Sequence, residues 1–222
     1  MCGRFTLAVD ADELEAEFAA VRFPAAFARR YNVSPSQPVL VIPNDGKAAA
    51  DLYVWGLIPS WSKDPSMGNR LINARGETLA ERPAFRGAYK YKRCLVLADG
   101  YYEWMATPGT KVKVPHYIQI SDGRPFGFAG LWSEWRSADG SEVRSCTIVT
   151  TTPNSLLAKI HNRMPVILSR EDREKWLDPA PKSSEDLGDL IKPYPAELMR
   201  AFPVSTLVNN PANDRSDCIA PV

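Results

Sequence analysis

Cys2 is the residue whose chemistry depends most on its place in the chain. A small second residue favours removal of Met1, and removal would leave an α-amine and a thiol on one residue. The amine ordinarily titrates near about 8 and the thiol near about 8.5, so both are partly nucleophilic at neutral pH. Such an aminothiol has a signature reaction. The amine condenses with an aldehyde to an imine, and the thiol closes a five-membered thiazolidine. An ordinary buried small residue is the plain alternative at this position. Glu103, within Gly100-Tyr101-Tyr102-Glu103-Trp104, follows a buried-looking strand. Aromatic neighbours (Tyr101, Tyr102 and Trp104) disfavour its charged form, raise its pKa and equip it to shuttle protons; an exposed strand residue is the alternative. His161 stands at an expected helix end before a strand, where a lone histidine is more often structural. Yet a Glu and a His are the acid and base that imine formation and ring closure need. Asn73 and Arg75 lie in a basic stretch, where loop capping is their other reading.

Other chemistries lose support from the same inventory. Cys2, Cys94, Cys146 and Cys218 form no CxxC pair, and His116 and His161 are the two histidines, so no structural zinc cluster is expected. No dinucleotide fingerprint, Walker loop, HExxH or GxSxG motif is present. No cofactor is therefore expected. The net charge of +1 excludes a whole-molecule basic field. Between Lys63 and Arg93, however, eight basic residues face three acidic ones, which reads either as a solvated face or as a phosphate-binding surface.

A single compact domain over residues 1–222 is expected to position these groups, since 45% apolar residues suffice for a core. No apolar run is long enough to span a membrane, and the acidic start is no secretory signal. A cytoplasmic monomer is the expectation. Asp10 with Glu13 spells a capping box ahead of the stripe Leu14, Phe18, Val21. Asn44-Asp45-Gly46 separates two β-rich runs as a hairpin signal, and Asp99-Gly100 and Asp122-Gly123 mark turns. Later helices are expected after Thr152-Pro153, Ser169 and Ser183 or Ser184, and in Pro195-Ala196-Glu197-Leu198-Met199-Arg200-Ala201-Phe202. Val204 to Val208 is expected to be a last strand. Strands without regular βαβ alternation predict an α+β fold with a curved, barrel-like, mainly antiparallel sheet and peripheral helices.

The chain resembles the SRAP (SOS response-associated peptidase) family. The resemblance rests on Met1-Cys2-Gly3-Arg4-Phe5, Arg30-Tyr31-Asn32-Val33, Trp55-Gly56-Leu57-Ile58-Pro59-Ser60-Trp61, Ile72-Asn73-Ala74-Arg75-Gly76-Glu77-Thr78, Ala98-Asp99-Gly100-Tyr101-Tyr102-Glu103-Trp104, Ile160-His161-Asn162-Arg163-Met164-Pro165 and the tail from Asn209. It implies a covalent sensor of abasic sites in single-stranded DNA, with Cys2 forming a thiazolidine with the opened sugar. Asn73 would hold the sugar, and Glu103 and His161 would move protons. Arg4, Arg75, Arg163 and Arg86 would grip phosphates, with Trp61 against the lesion. AP lyase and thiol peptidase activities, a role in the DNA damage response, and no metal or membrane are also implied. Three departures stand out: Asn162 where an acid often follows the histidine, Ser62 where some members carry a second tryptophan, and Pro211 within the final polar segment. Two other classes stay open, an N-terminal-nucleophile amidohydrolase and a non-catalytic single-strand binder.

Overall fold

The computed structural model describes residues 2–137 and 139–222. Among these described residues, thirteen strands form two sheets. In chain order they are β1 (Phe5–Leu7), β2 (Arg30–Val33), β3 (Pro38–Pro43), β4 (Asp51–Trp55), β5 (Asn73–Arg75), β6 (Arg93–Ala98), β7 (Gly100–Ala106), β8 (Lys113–Ile120), β9 (Phe126–Arg136), β10 (Glu142–Thr151), β11 (Met164–Pro165), β12 (Ile167–Leu168) and β13 (Met199–Pro203). One sheet has the order β13-β8-β7-β1-β2. In the other, β10, β4, β3, β6 and β9 pair in a ring, because β9 also closes onto β10. This is the expected α+β domain with a barrel-like sheet. Most pairs are antiparallel, but β10 runs parallel to β4 and then to β5.

The apolar pattern explains the layers. Along β3, Val39 and Val41 join one core while Leu40 and Ile42 join another. Both faces of the strand are thus buried, which is why its sequence reads as a continuous apolar run. Cys2, Phe5, Trp55 and Tyr101 share the first of these cores. Leu14 of helix α1 (Ala11–Glu17) and its C-cap residue Phe18 join the second. Asp10 caps α1 through the expected box, although the helix ends before Val21. Gly100 sits where the chain crosses from β6 to β7, and a Cβ there would lie 2.1 Å from the Tyr117 hydroxyl.

Several local expectations need correction. The turn after Pro153 is a 3-10 turn, Leu157–Lys159, and Asn154 rather than Thr152 caps it, its Oδ1 accepting from Leu157 N. A helix missed in sequence, α2 (Arg86–Tyr91), follows Pro83. Helices α3 (Arg170–Leu177) and α4 (Ser184–Leu187) start from Ser169 and Ser183 as expected. Within 195–202 only Ala196–Leu198 is helical, and Met199–Pro203 is instead β13 on the edge of β8. The edge of β8 supplies ladder partners that outweigh the weak helical preference of this stretch. Residues 204–208 do not form a strand. Ser205 caps a 3-10 turn, Thr206–Asn209, and Val204 makes a single bridge to Pro221.

Candidate active site

The segment entering β1 carries Cys2 into the junction between the sheets. Tyr102 N donates to Arg4 O, so this segment continues alongside β7 toward Glu103. Asn73 opens β5, a strand held in place by its parallel pairing with β10, and Asn73 Nδ2 donates to Cys2 O at 2.7 Å. His161 follows the 3-10 turn, where its backbone N donates to Leu157 O. Its Nε2 lies 4.0 Å from Glu103 Oε2. Four distant chain segments thereby bring Cys2, Asn73, Glu103 and His161 to one place. Met1, whose removal the chemistry of Cys2 requires, lies outside the described residues.

Burial sets the electrostatics. Cys2 is fully buried and Glu103 is 3% exposed. Desolvation pushes the Glu103 carboxyl up from its usual 4.5 to about 7. Tyr101 shares its strand face, whereas Tyr102 belongs to the core on the opposite face and Trp104 packs against it. The aromatic surroundings expected from all three neighbours thus come, on this strand, from Tyr101 alone, by the period of two. Burial, reinforced by the Glu103 charge, also raises the Cys2 thiol, which stays protonated. Burial lowers His161 below its usual 6.5. Arg163 N lies 3.1 Å and Arg163 O 3.2 Å from His161 Nδ1, so the Arg163 backbone holds the ring with Nε2 toward Glu103. This backbone contact fixes the ring although Asn162, next to it, is an exposed amide. Asn73 Oδ1 and Tyr101 OH are buried and have no hydrogen-bond partner among the described residues.

The four arginines fall into different settings. Arg75 ends β5 and Arg86 opens α2, both exposed. Arg163 makes two bonds to Glu77, of 2.6 and 2.9 Å, and a third to Thr150 O at 2.7 Å. Arg4 Nη1 donates to Asn32 Oδ1 and Val208 O, both at 2.7 Å. Trp61 is 58% exposed. Arg93 leaves the basic surface altogether, being fully buried. Sequence reading assigned Asn32 no role. The structure makes it a clamp that donates to Val208, Asn210 and Asn213 carbonyls while it receives Arg4. Asp214 accepts from Tyr31 N, Asn32 N and Arg30 Nε beside it. Only its place in a motif signalled Asn32, since its partners lie some 180 residues away.

The family described as SOS response associated peptidase (SRAP) matches residues 1–211. The chain belongs to the SRAP family. Its relatives include "Abasic site processing protein YoqW" of Bacillus subtilis, 43% identical across 99% of both chains. "Abasic site processing protein HMCES" of Rattus norvegicus is 32% identical, matched over 100% of this chain and 76% of its own. A crystal structure of a protein from Bacteroides thetaiotaomicron superposes with a TM-score of 0.89 at 28% identity, covering 100% of both chains. Among the described residues of this SRAP chain, no helix is long and apolar enough to cross a membrane.

Proposed function

We propose that this SRAP chain processes abasic sites in single-stranded DNA by forming a covalent thiazolidine with the lesion. The observation that carries this reading is the convergence of Cys2 and Asn73 with a proton-shuttling Glu103–His161 pair. The names of its relatives support the substrate.

The chemistry balances without a further reagent. Met1 is first removed by hydrolysis. As the closed abasic sugar opens to its aldehyde, the bond from C1 to the ring oxygen breaks: the C1 hydroxyl gives its proton to the Glu103 carboxylate, the ring oxygen takes one from His161 Nε2, and Glu103 Oε2, 4.0 Å away, returns its proton to the imidazole. The Cys2 amine adds to the aldehyde carbon, and Glu103 takes a proton from that nitrogen and returns it to the departing oxygen. One water leaves and an imine remains. The thiol then adds across the imine: sulfur bonds to carbon and the thiol proton ends on nitrogen. A carboxyl titrating near about 7 is suited to both giving and taking that proton. Asn73 Oδ1 is an acceptor for the sugar hydroxyl or the Cys2 amine. Arg4, Arg75, Arg86 and Arg163 serve phosphates, and Trp61 serves an unstacked base step. Strand cleavage belongs to the imine stage, where loss of the adjacent sugar proton expels the 3′ phosphate. Release of Met1 by the chain itself is the matching peptidase activity. The adduct shields the lesion during the DNA damage response, and the protein acts as a cytoplasmic monomer.

The test is a denaturing gel after mixing Met1-free protein with abasic single-stranded DNA. A heat-stable adduct is expected for the native chain and none for Cys2→Ala. An adduct of equal stability in Cys2→Ala would overturn the thiazolidine. No adduct in the native chain would leave a non-covalent binder.

A further inference from the structure

A groove of about 620 Å³ is lined by Leu57, Pro59, Trp61, Pro83, Arg86, Tyr91, Lys92 and Trp132 among others. We propose that this groove seats the unpaired nucleotides next to the lesion, with Tyr91 as a base-stacking platform and Lys92 as a phosphate contact. The inference rests on the function proposed above and extends the strand's path beyond Trp61.

Three observations converge. First, the size falls in the ~300–1,000 Å³ range of small-ligand sites. Trp61 and Tyr91 expose 58% and 52% of their surface there. Two large aromatics left this open fit a partner with flat apolar faces. Second, the lining contains Arg86 and Lys92 and no acidic residue. Lys92 Nζ stands 4.7 Å over the Trp132 ring, and Lys90 Nζ stands 5.2 Å over Tyr91. Cations beside aromatic faces suit alternating phosphates and bases, and they disfavour a basic peptide. Third, a short stretch of chain ties the groove wall to the segment that carries Asn73. Gly56, at φ +133°, turns the chain out of β4 into the groove wall. Leu57 N then donates to Leu71 O, and Asn73 follows two residues later, at most about 7 Å of chain away. Trp132 Nε1 is anchored on Asn44 Oδ1, so its ring is a fixed wall.

The experiment measures affinity for lesion-free single-stranded oligonucleotides by fluorescence anisotropy, in native protein, Tyr91→Ala and Lys92→Gln. Tyr91→Ala is expected to weaken binding roughly 5- to 100-fold. Lys92→Gln is expected to flatten the slope of log affinity against log salt by about 0.7. Thermal melting should be unchanged, because Tyr91 is exposed. Trimming an abasic oligonucleotide from each end in turn should abolish the difference between native and Tyr91→Ala when one particular flank is lost. At saturating DNA, both variants should reach the native adduct yield. Native affinity in both variants at every length would overturn the groove assignment, as would a defect that persists after either flank is removed. Failure of the native chain to form an adduct would strike the function above and leave the affinity comparison standing.

Discussion

Arg93 and the Cys2 cluster are both buried and polar, and the fold treats them in opposite ways. All five N–H groups of the Arg93 guanidinium donate to backbone carbonyls. Those of Tyr89 and Lys90 close the end of α2, and those of Trp176 and Asp178 close the end of α3. One cation thus satisfies the last carbonyls of two helices and meets both negative dipole ends. Around Cys2 the arrangement is reversed. Asn73 Oδ1 and Tyr101 OH are buried without partners among the described residues, and Glu103 is held partly protonated by desolvation. A satisfied buried group supports the fold, and an unsatisfied one is poised for something that has yet to arrive.

The largest expected effect tests the satisfied side. Arg93→Met removes every donor and strands five carbonyls, which should cost roughly 3 kcal/mol or more. Arg93→Lys should recover part of it, since an ammonium cannot reach five acceptors in two directions. Urea denaturation of both variants decides the matter. A loss below about 1 kcal/mol for Arg93→Met would show that water replaces the guanidinium readily and would dissolve the contrast.

Sequence alone could not separate these two regions. Arg93 counted toward the basic stretch because charge is visible in a sequence and burial is not. It starts a strand directly after α2, but three of its five acceptors, at the end of α3 and just beyond it, lie 83 to 87 residues further along the chain. Glu103 was legible because its aromatic neighbours and the buried-looking strand before it suggested burial, although strand alternation removes Tyr102 and Trp104 from its face. The capping box at Asp10 and the helix start at Ser183 or Ser184 were legible because they are local. Residues 199–203 were not, since a free strand edge on β8 decides their conformation. Asn32 and Glu77 share that character: the Asn32 amide donates to carbonyls 176 to 181 residues away and Glu77 accepts from Arg163, 86 residues away, which no local pattern encodes.

The next effect tests the cluster around Cys2. Glu103→Gln keeps the shape and removes the titrating proton, and crosslinking of pre-bound DNA should slow by ~100- to 10,000-fold. The native rate should follow an ionisation near about 7 that the variant lacks. Stability should move the other way. Because the folded pKa is raised from 4.5, this group's contribution is fully present below about pH 4.5 and is lost as pH rises through about 7. The native protein should therefore weaken relative to Glu103→Gln between pH 5 and pH 8. Denaturation curves for the pair across that range provide the check. A pH-independent difference would mean that Glu103 is solvated well enough to stay charged, contrary to its burial.

The smallest effect lies between the two regimes, at Arg163. Its two terminal nitrogens are satisfied, but mainly by a partner that can be exchanged, and its Nε is buried with no hydrogen-bond partner among the described residues. The Glu77 side chain is 49% exposed while that of Arg163 is 15% exposed, and Arg163 holds Glu77 in its ionised form. A phosphate approaching Arg163 meets a carboxylate already in the fork. The bond from Arg163 Nη2 to Thr150 O would keep the side chain aimed even without that carboxylate. Glu77→Gln should therefore lower stability by less than about 1 kcal/mol, the usual worth of an exposed pair. Affinity for single-stranded DNA at low salt should rise a few-fold, with a steeper salt dependence as one more cation is released to phosphate. Anisotropy titrations at several salt concentrations measure both. A fall in affinity would reverse the assignment: Glu77 would then hold Arg163 in the geometry the strand needs, and this pair would belong with Arg93 as a support.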